Sequence, residues 1–381
     1  MQTMSSRLSR RKRRSFTLDK RAKAVLLVLT LVATFSLPAP SCCGAKTAIN
    51  QGKADESDTT AVTVSAAGDC TFGSDQISPS ATNFYAVYKK QKNPAYFFKK
   101  VKKYFKQDDL TLINFEGVLT KRTTRADKKF AFKGSPGYVD ILKKGSIEAA
   151  AFANNHCRDF GEGSYTDTKQ CFKEAGITYS SYEKIGMYEA KGTKIGMISV
   201  NGLEGLEAAE TLVKEGMKKL KKKDADLRIV SIHAGVEYGK QPSDSQKSLA
   251  RYAVDQGADL VLGHHPHILQ GIEKYRGSYI VYSLGNFCFG GNTNPADKDT
   301  MIFQQTFLFR GGKLKKKESK VKIIPCSLSS ANGVNNYQPT PVSGKKKKQV
   351  LKKLDLMCRP LGLTLQNDKG KFTHSLYKVK T

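Results

Sequence analysis

Five of the six histidines follow directly on apolar runs: His156, His233, His264, His265 and His267. Two carboxylates take matching places, Asp69 after the run VTVSA and Glu116 after Ile113-Asn114-Phe115. Taken singly, Asp69 reads equally well as an ordinary turn residue, and neither Glu116 nor a lone histidine such as His233 is specific. In open α/β sheets, however, ligands bind beyond the carboxyl ends of strands, and so many imidazoles and carboxylates at that one kind of position point to a metal centre. The most specific stretch is Gly263-His264-His265-Pro266-His267. In an extended segment residues i and i+2 point the same way, so His265 and His267 are expected to face one site, with His264 turned away or covering it. Pro266 stiffens the spacing between them.

Asn154-Asn155-His156, with Asp159 three residues on, places two amides and an imidazole at another strand end. An Asn carbonyl is a neutral oxygen ligand, and a histidine either ligates or carries protons; an Asn capping a following helix is the alternative. His233 is followed by Gly235 and Glu237. Imidazoles with hard oxygen ligands suit Zn, Mn or Fe better than Ca or Mg. Such an ion lowers the pKa of bound water toward about 7 and polarises a phosphoryl or carbonyl oxygen.

The elements that must position these residues alternate in type. Strands are expected at 61–67, 109–114, 147–152, 194–200, 227–232, 258–262 and 278–283, runs apolar enough to be buried on both faces. Helical patterns fall at 94–106, 136–145, 163–175, 204–223 and 243–257, an α/β rhythm that implies a sheet with covered faces. From 299 onward strands with polar turns read as a closing antiparallel part, and 344–381 as a basic helix with a short tail.

Lys and Arg number 64 against 34 Asp and Glu, a formal charge of +30. Nine of those basic residues and one acid lie in 1–45, leaving 55 against 33 (+22) for the rest. So basic a domain implies polyanionic partners, but with no Trp, no zinc-finger spacing and no RNA-binding signature, nucleic acid is not expected. The lysine runs at 313–322 and 345–353 read as solvated faces. Residues 10–23 form a basic flank before the apolar run Ala24–Leu37, short for a membrane span and suited to a signal sequence. Cys42 and Cys43 after it suggest a lipoprotein-like attachment, with an uncleaved signal anchor as the alternative; either puts the domain outside the membrane. Residues 46–60 read as a linker. The eight cysteines include no C-x-x-C pair, so no thiolate zinc site is expected; disulfides or buried free thiols both remain open.

The blocks GDCTFGSD, INFEGVLT, ANNHCRDFGEG, SIHAGVEY, GADLVLGHHPHILQGIE and VYSLGNFCF, in that order over about 61–290, resemble the CapA family of bacterial poly-gamma-glutamate capsule synthesis proteins. That family is similar to calcineurin-like metallophosphoesterases. The resemblance implies an α/β fold with a metallophosphoesterase-like double β-sheet sandwich flanked by helices. It makes 61–310 the family domain and 311–381 a basic extension completing or flanking it. It implies one metal position at Glu116, Asn155, His233 and His265, and a second at Asp69, the shared Glu116 and His267. His156 would be the proton donor with Asp159 orienting it, and Asn154, Glu237, His264 and Asn286 would support the site or touch substrate. Three positions depart from the phosphoesterase pattern: Thr71 stands for a histidine, Glu116 for an aspartate, and Cys157 for an acidic residue. One firmly held metal is therefore expected, with a second weakened.

The function expected is biosynthesis or export of an anionic surface polymer of the poly-gamma-glutamate type, through a metal-dependent hydrolase-like site acting on a phosphoester or amide bond. Its partners would be that polymer, the membrane and capsule-synthesis membrane proteins. A polymer-binding or assembly subunit with a degraded site is the alternative, and an extracellular phosphatase ranks last.

Overall fold

A computed structural model of the chain describes residues 59–77 and 80–379. The signal or anchor segment expected at 1–45 and nearly all of the linker expected at 46–60 lie outside the described residues. Among the described residues, no helix is long and apolar enough to cross a membrane.

Two sheets form the centre of the fold. The first runs Thr340–Pro341, Lys320–Ser327, Asp299–Arg310, Thr59–Thr71, Leu110–Phe115, Ala149–Phe152, Thr178–Ser181 in spatial order. Asn286–Phe289 adds to Thr59–Thr71 in parallel. The second runs Ile272–Tyr275, Ser278–Val281, Leu260–His264, Leu227–His233, Thr193–Asn201, Gly186–Ala190. Within each sheet the strands that carry the motifs run parallel to one another, so their carboxyl ends gather along one edge.

Strand alternation explains the layers. Val62, Val64, Ala66, Leu110 and Leu112 share one core with Ile195, Met197, Leu227, Ile229, Leu260 and Leu262, which joins the two sheets face to face. The intervening residues point outward and are covered in turn. Ile113, Ala150 and Phe152 pack with Phe98, Ile141, Leu142 and Phe172 of the helical segments over the first sheet. Val230, Ile232 and Val261 pack with Val213, Met217, Leu249 and Ala253 of the helices Leu206–Lys222 and Asp244–Asp255 over the second. Burial on both faces is why these strands read as unbroken apolar runs rather than alternating ones. The result is the flanked double-sheet sandwich expected of a metallophosphoesterase-like fold.

The chain beyond 311 belongs to the same body. Lys320–Ser327 hydrogen-bonds to Asp299–Arg310, and the helix Gly344–Cys358 sends Val350, Leu351 and Leu354 into the core between the sheets. Its opposite face exposes Lys345, Lys348 and Lys352 to solvent.

Several local expectations are corrected. Thr59–Thr71 starts inside the expected linker, because Thr59 and Thr60 pair with Arg310 and Phe309. The stretch 94–106 is not one helix but a 3-10 turn at Pro94–Tyr96 and a short helix Lys102–Phe105. Bonds from Lys99 to Tyr96 and from Val101 to Phe98 tighten the turns between them, where Phe97, Phe98 and Val101 are all driven into the core. The tail after the last helix is a hairpin, Leu363–Gln366 with Phe372–Lys378, turned at Asn367–Gly370. The described cysteines Cys70, Cys157, Cys171, Cys288, Cys326 and Cys358 are free and buried.

Candidate metal centre

Asp69 lies two residues before the end of the strand Thr59–Thr71, and its placement depends on a glycine. The preceding Gly68 lies against the Leu284–Gly285 backbone so closely that a Cβ would stand 1.8 Å from the Gly285 carbonyl. That approach lets the Asp69 amide donate to Gly285 at 3.0 Å. Glu116 follows Leu110–Phe115 and is fully buried. Between them Asn114, on the same strand face as Glu116, donates from Nδ2 to Asp69 Oδ1 at 2.9 Å and lies 3.4 Å from Glu116 Oε2 and 3.3 Å from His233 Nδ1. Its Oδ1 accepts from Asn154, whose amide also donates to the Phe115 carbonyl at 2.8 Å.

His233 ends its strand and brings Nε2 within 2.7 Å of Asn155 Oδ1. The neighbouring strand pairs His264 with His233 in register, and His264 turns Nδ1 to within 3.2 Å of Asp69 Oδ1. His265 and His267 do face the same site, but not as i and i+2 of an extended strand. The chain bends after His264, and both residues take left-handed backbone, φ 97° at His265 and 60° at His267. Such angles are uncommon outside glycine and concentrate at functional sites. The bend brings the His265 ring to 4.8 Å from His233 and 5.7 Å from His267. His267 sets Nδ1 2.9 Å from Asn286 Oδ1, while its Nε2 looks at Glu116 Oε1 from 3.7 Å.

On the opposite wall, Asp159 is held by Lys128 Nζ at 2.8 Å and by the Phe132 amide at 2.5 Å, and it accepts from His156 Nδ1 at 2.7 Å. His156 therefore presents Nε2 to the centre, 3.9 Å from Glu116 Oε1, with Phe132 against its ring. Neither Asn154 nor Asn155 caps the next helix, which starts at Gly161 without a side-chain cap. Thr71 spends its hydroxyl on the Glu116 carbonyl at 2.5 Å, and the Cys157 thiol points at the Asn154 carbonyl at 3.0 Å. Two of the three departures from the phosphoesterase pattern, Thr71 and Cys157, thus serve the backbone. Glu237 is the exposed member of the set.

Asn114, Lys128 and Phe132 were not singled out from the sequence. Asn114 carried a usable signal, standing two residues before Glu116 on a strand and so on the same face. Lys128 and Phe132 lie in an irregular segment with no periodicity to place them.

The charges are in tension. Burial alone would raise Asp69, but the His264 and His267 imidazoles beside it outweigh burial and hold the carboxyl well below its ordinary range. Burial drives Glu116 well above that range, partly offset by His267. Burial and then the neighbouring His265 push His233 far down; burial and then His267 bring His265 to about 4. Burial also opposes charge on His267, yet Glu116 and Asp69 prevail and lift it to about 9. Burial keeps His156 below its ordinary value against Asp159.

These residues fit a metal ion. Asp69, Glu116 and His233 bring one ligand atom each within 4.8 Å of one another, as do Glu237, His265 and His267. Glu116 Oε1 and His265 Nδ1 are buried without a hydrogen-bond partner, an expensive arrangement unless something else binds them. The donors are imidazole nitrogens and hard oxygens, the set suited to divalent transition metals.

Residues 63–291 match the family described as bacterial capsule synthesis protein PGA_cap. The PGA biosynthesis protein CapA of Bacillus subtilis (strain 168) is 35% identical over 220 residues, covering 52% of this chain and 58% of the relative. The capsule biosynthesis protein CapA of Bacillus anthracis is 32% identical over 220 residues, covering 51% and 54%. The chain thus spans little more than half the length of either curated relative.

Proposed function

The chain belongs to the bacterial capsule synthesis protein PGA_cap family, and on that premise we propose that it serves the biosynthesis or export of an anionic surface polymer of the poly-gamma-glutamate type, through a metal-dependent hydrolase-like site. The observation that carries the chemical part is the set of unsatisfied buried atoms, Glu116 Oε1, His265 Nδ1 and both ring nitrogens of His264, among converging ligands. Glu116, Asn155, His233 and His265 would hold one ion, and Asp69, Glu116 and His267 would line a second position. A divalent transition metal bound there supplies Lewis-acid polarisation of a phosphoryl or carbonyl oxygen and acidifies water.

The chain's own residues do the rest. Asp159, pinned by Lys128 and the Phe132 amide, fixes the His156 ring so that Nε2 faces the reacting atoms, and His156 moves protons there. Burial favours its neutral form at pH 7, so it takes up a proton before giving one to a leaving group. Asn286 orients His267, and His264 supports Asp69. The rim suits an anionic chain: Lys129 lies 5.2 Å from the ring centre of half-exposed Phe130, which stacks on Phe132 beside His156. The two relatives' names place them in capsule or PGA biosynthesis, which supports a surface role here. The apolar run Ala24–Leu37 and Cys42–Cys43 support attachment to the outer side of the membrane.

The competing reading, a polymer-binding subunit without chemistry, draws on Thr71 and Cys157, whose side chains are committed to backbone carbonyls. Elemental analysis of the purified full chain separates the two, alongside His156→Ala and the double variant His265→Ala, His267→Ala. Near-stoichiometric Zn, Mn or Fe in the parent, kept in the His156 variant and lost in the double variant, is the expected result. Turnover of phosphoester or amide substrates should then fall by about 100-fold or more in His156→Ala. A folded, metal-free parent that gains no ion on reconstitution would sink the hydrolase.

A further inference from the structure

We propose that Glu237 is a metal ligand, which with His265 and His267 completes a second ion position on the solvent side of the centre. The assignment presupposes the metal centre proposed above and changes its composition. In the phosphoesterase pattern a histidine stands two residues after the first aspartate. Here that residue is Thr71, and its hydroxyl is bound to the Glu116 carbonyl. With Asp69 and Glu116 grouped beside His233 at the inner ion, the second ion has the imidazoles of His265 and His267 but no carboxylate of its own. Glu237 restores a carboxylate from the other sheet.

The geometry supports this in three ways. First, a carboxylate oxygen of Glu237 and one nitrogen from each of His265 and His267 lie within 4.8 Å of one another. Second, His265, a member of that cluster, has its Nδ1 buried without a hydrogen-bond partner. Third, the turn that carries Glu237 is braced although its side chain is exposed. Tyr238, in left-handed backbone at φ 60°, donates its amide to the Pro266 carbonyl at 2.8 Å, tying the turn to the bend between the two histidines. Buried Gln270 donates to the carbonyls of Gly239 and Gln241 at 2.8 and 3.2 Å and accepts from buried Gln246. Gly235, at φ 110°, lies so close under the Gln246 side chain that a Cβ would meet it at 2.3 Å. A solvated acidic side chain needs no such foundation, whereas a ligand does, because its position relative to two fixed imidazoles sets the affinity.

Two cation positions then follow, unequal in exposure. The inner one rests on fully buried Asp69 and Glu116 with His233. The outer one is closed by an exposed carboxylate, so its ion exchanges faster and binds more weakly.

Manganese(II) titrated into the chelator-stripped full chain, followed by calorimetry and electron paramagnetic resonance, tests the assignment in the parent and in Glu237→Gln. Circular dichroism checks that the variant is folded, as an exposed substitution should be. The expected parent binds two ions, tight and weak, with a spin-coupled signal when both are present. The variant keeps the tight ion, loses at least tenfold in affinity for the weak one, and shows only the uncoupled six-line spectrum. Two ions bound by the variant with parental affinity would overturn the Glu237 assignment and leave the metal centre standing. So would a single ion held equally by parent and variant. No ion bound by the parent would overturn the metal centre itself.

Discussion

His267 hydrogen-bonds through Nδ1 to Oδ1 of Asn286 at 2.9 Å, across the junction where Asn286 also pairs in register with Asp69. One amide thus fixes the ring of one ligand while its backbone fixes the strand position of another. With Nδ1 engaged, Nε2 is the nitrogen left for an ion, and it is the one turned toward Glu116.

Asn286→Ala is therefore expected to weaken metal binding by about 10- to 100-fold, the usual cost of losing an orienting partner, without unfolding the protein. Competition against a chelator of known affinity measures it. Unchanged affinity would mean that the His265–His267 bend holds the ring unaided.

The bend itself should report its strain. His265 sits at φ 97°, where a Cβ is disfavoured and glycine is not. Glycine ordinarily destabilises a folded chain relative to alanine through the entropy of the unfolded state. At this position the order is expected to reverse, with His265→Gly unfolding at higher denaturant than His265→Ala by about 1 kcal/mol. Both measurements are made with chelator present, so that metal binding does not contribute. The usual order at residue 265 would show that the left-handed backbone there is not a source of strain.

The legible part of the molecule was what short-range pattern controls. The strands that lead to Asp69, Glu116, His233 and His264 announced themselves as apolar runs because both of their faces are covered, and the ligands lie at or near their carboxyl ends. The bend at His265–His267 was misread as extended, since nothing in Gly-His-His-Pro-His marks a residue for positive φ. Lys128 reaches Asp159 over 31 positions of sequence, and the bracing of the Glu237 turn depends on Gln246 and Gln270, two ordinary polar residues in the chain. Contacts of that kind arise from how the two sheets and their helices pack, and no local period encodes them.

Away from the centre, Glu148 and Asp108 lie at the opposite ends of the same strands. Glu148 Oε2 accepts the Thr111 amide at 2.9 Å, and the Thr111 hydroxyl donates to Asp108 Oδ2 at 2.7 Å. Burial, only partly offset by the Thr111 bond and reinforced by Asp108, lifts Glu148 to about 7; burial likewise lifts Asp108 to about 6. Unfolded, such carboxyls titrate near 4, so between roughly pH 4 and 7 the folded chain holds more protons than the unfolded one. Stability then falls as pH rises through that window and the contribution levels off above it. Glu148→Gln keeps an acceptor for Thr111 and removes the charge. It should raise the unfolding free energy at pH 8, on the order of 1 kcal/mol once solvent screening of a half-buried group is allowed for, and leave it nearly unchanged at pH 4. Denaturant melts of parent and variant at the two pH values decide it. Equal differences at both would show that the substitution acts through packing and not through the proton.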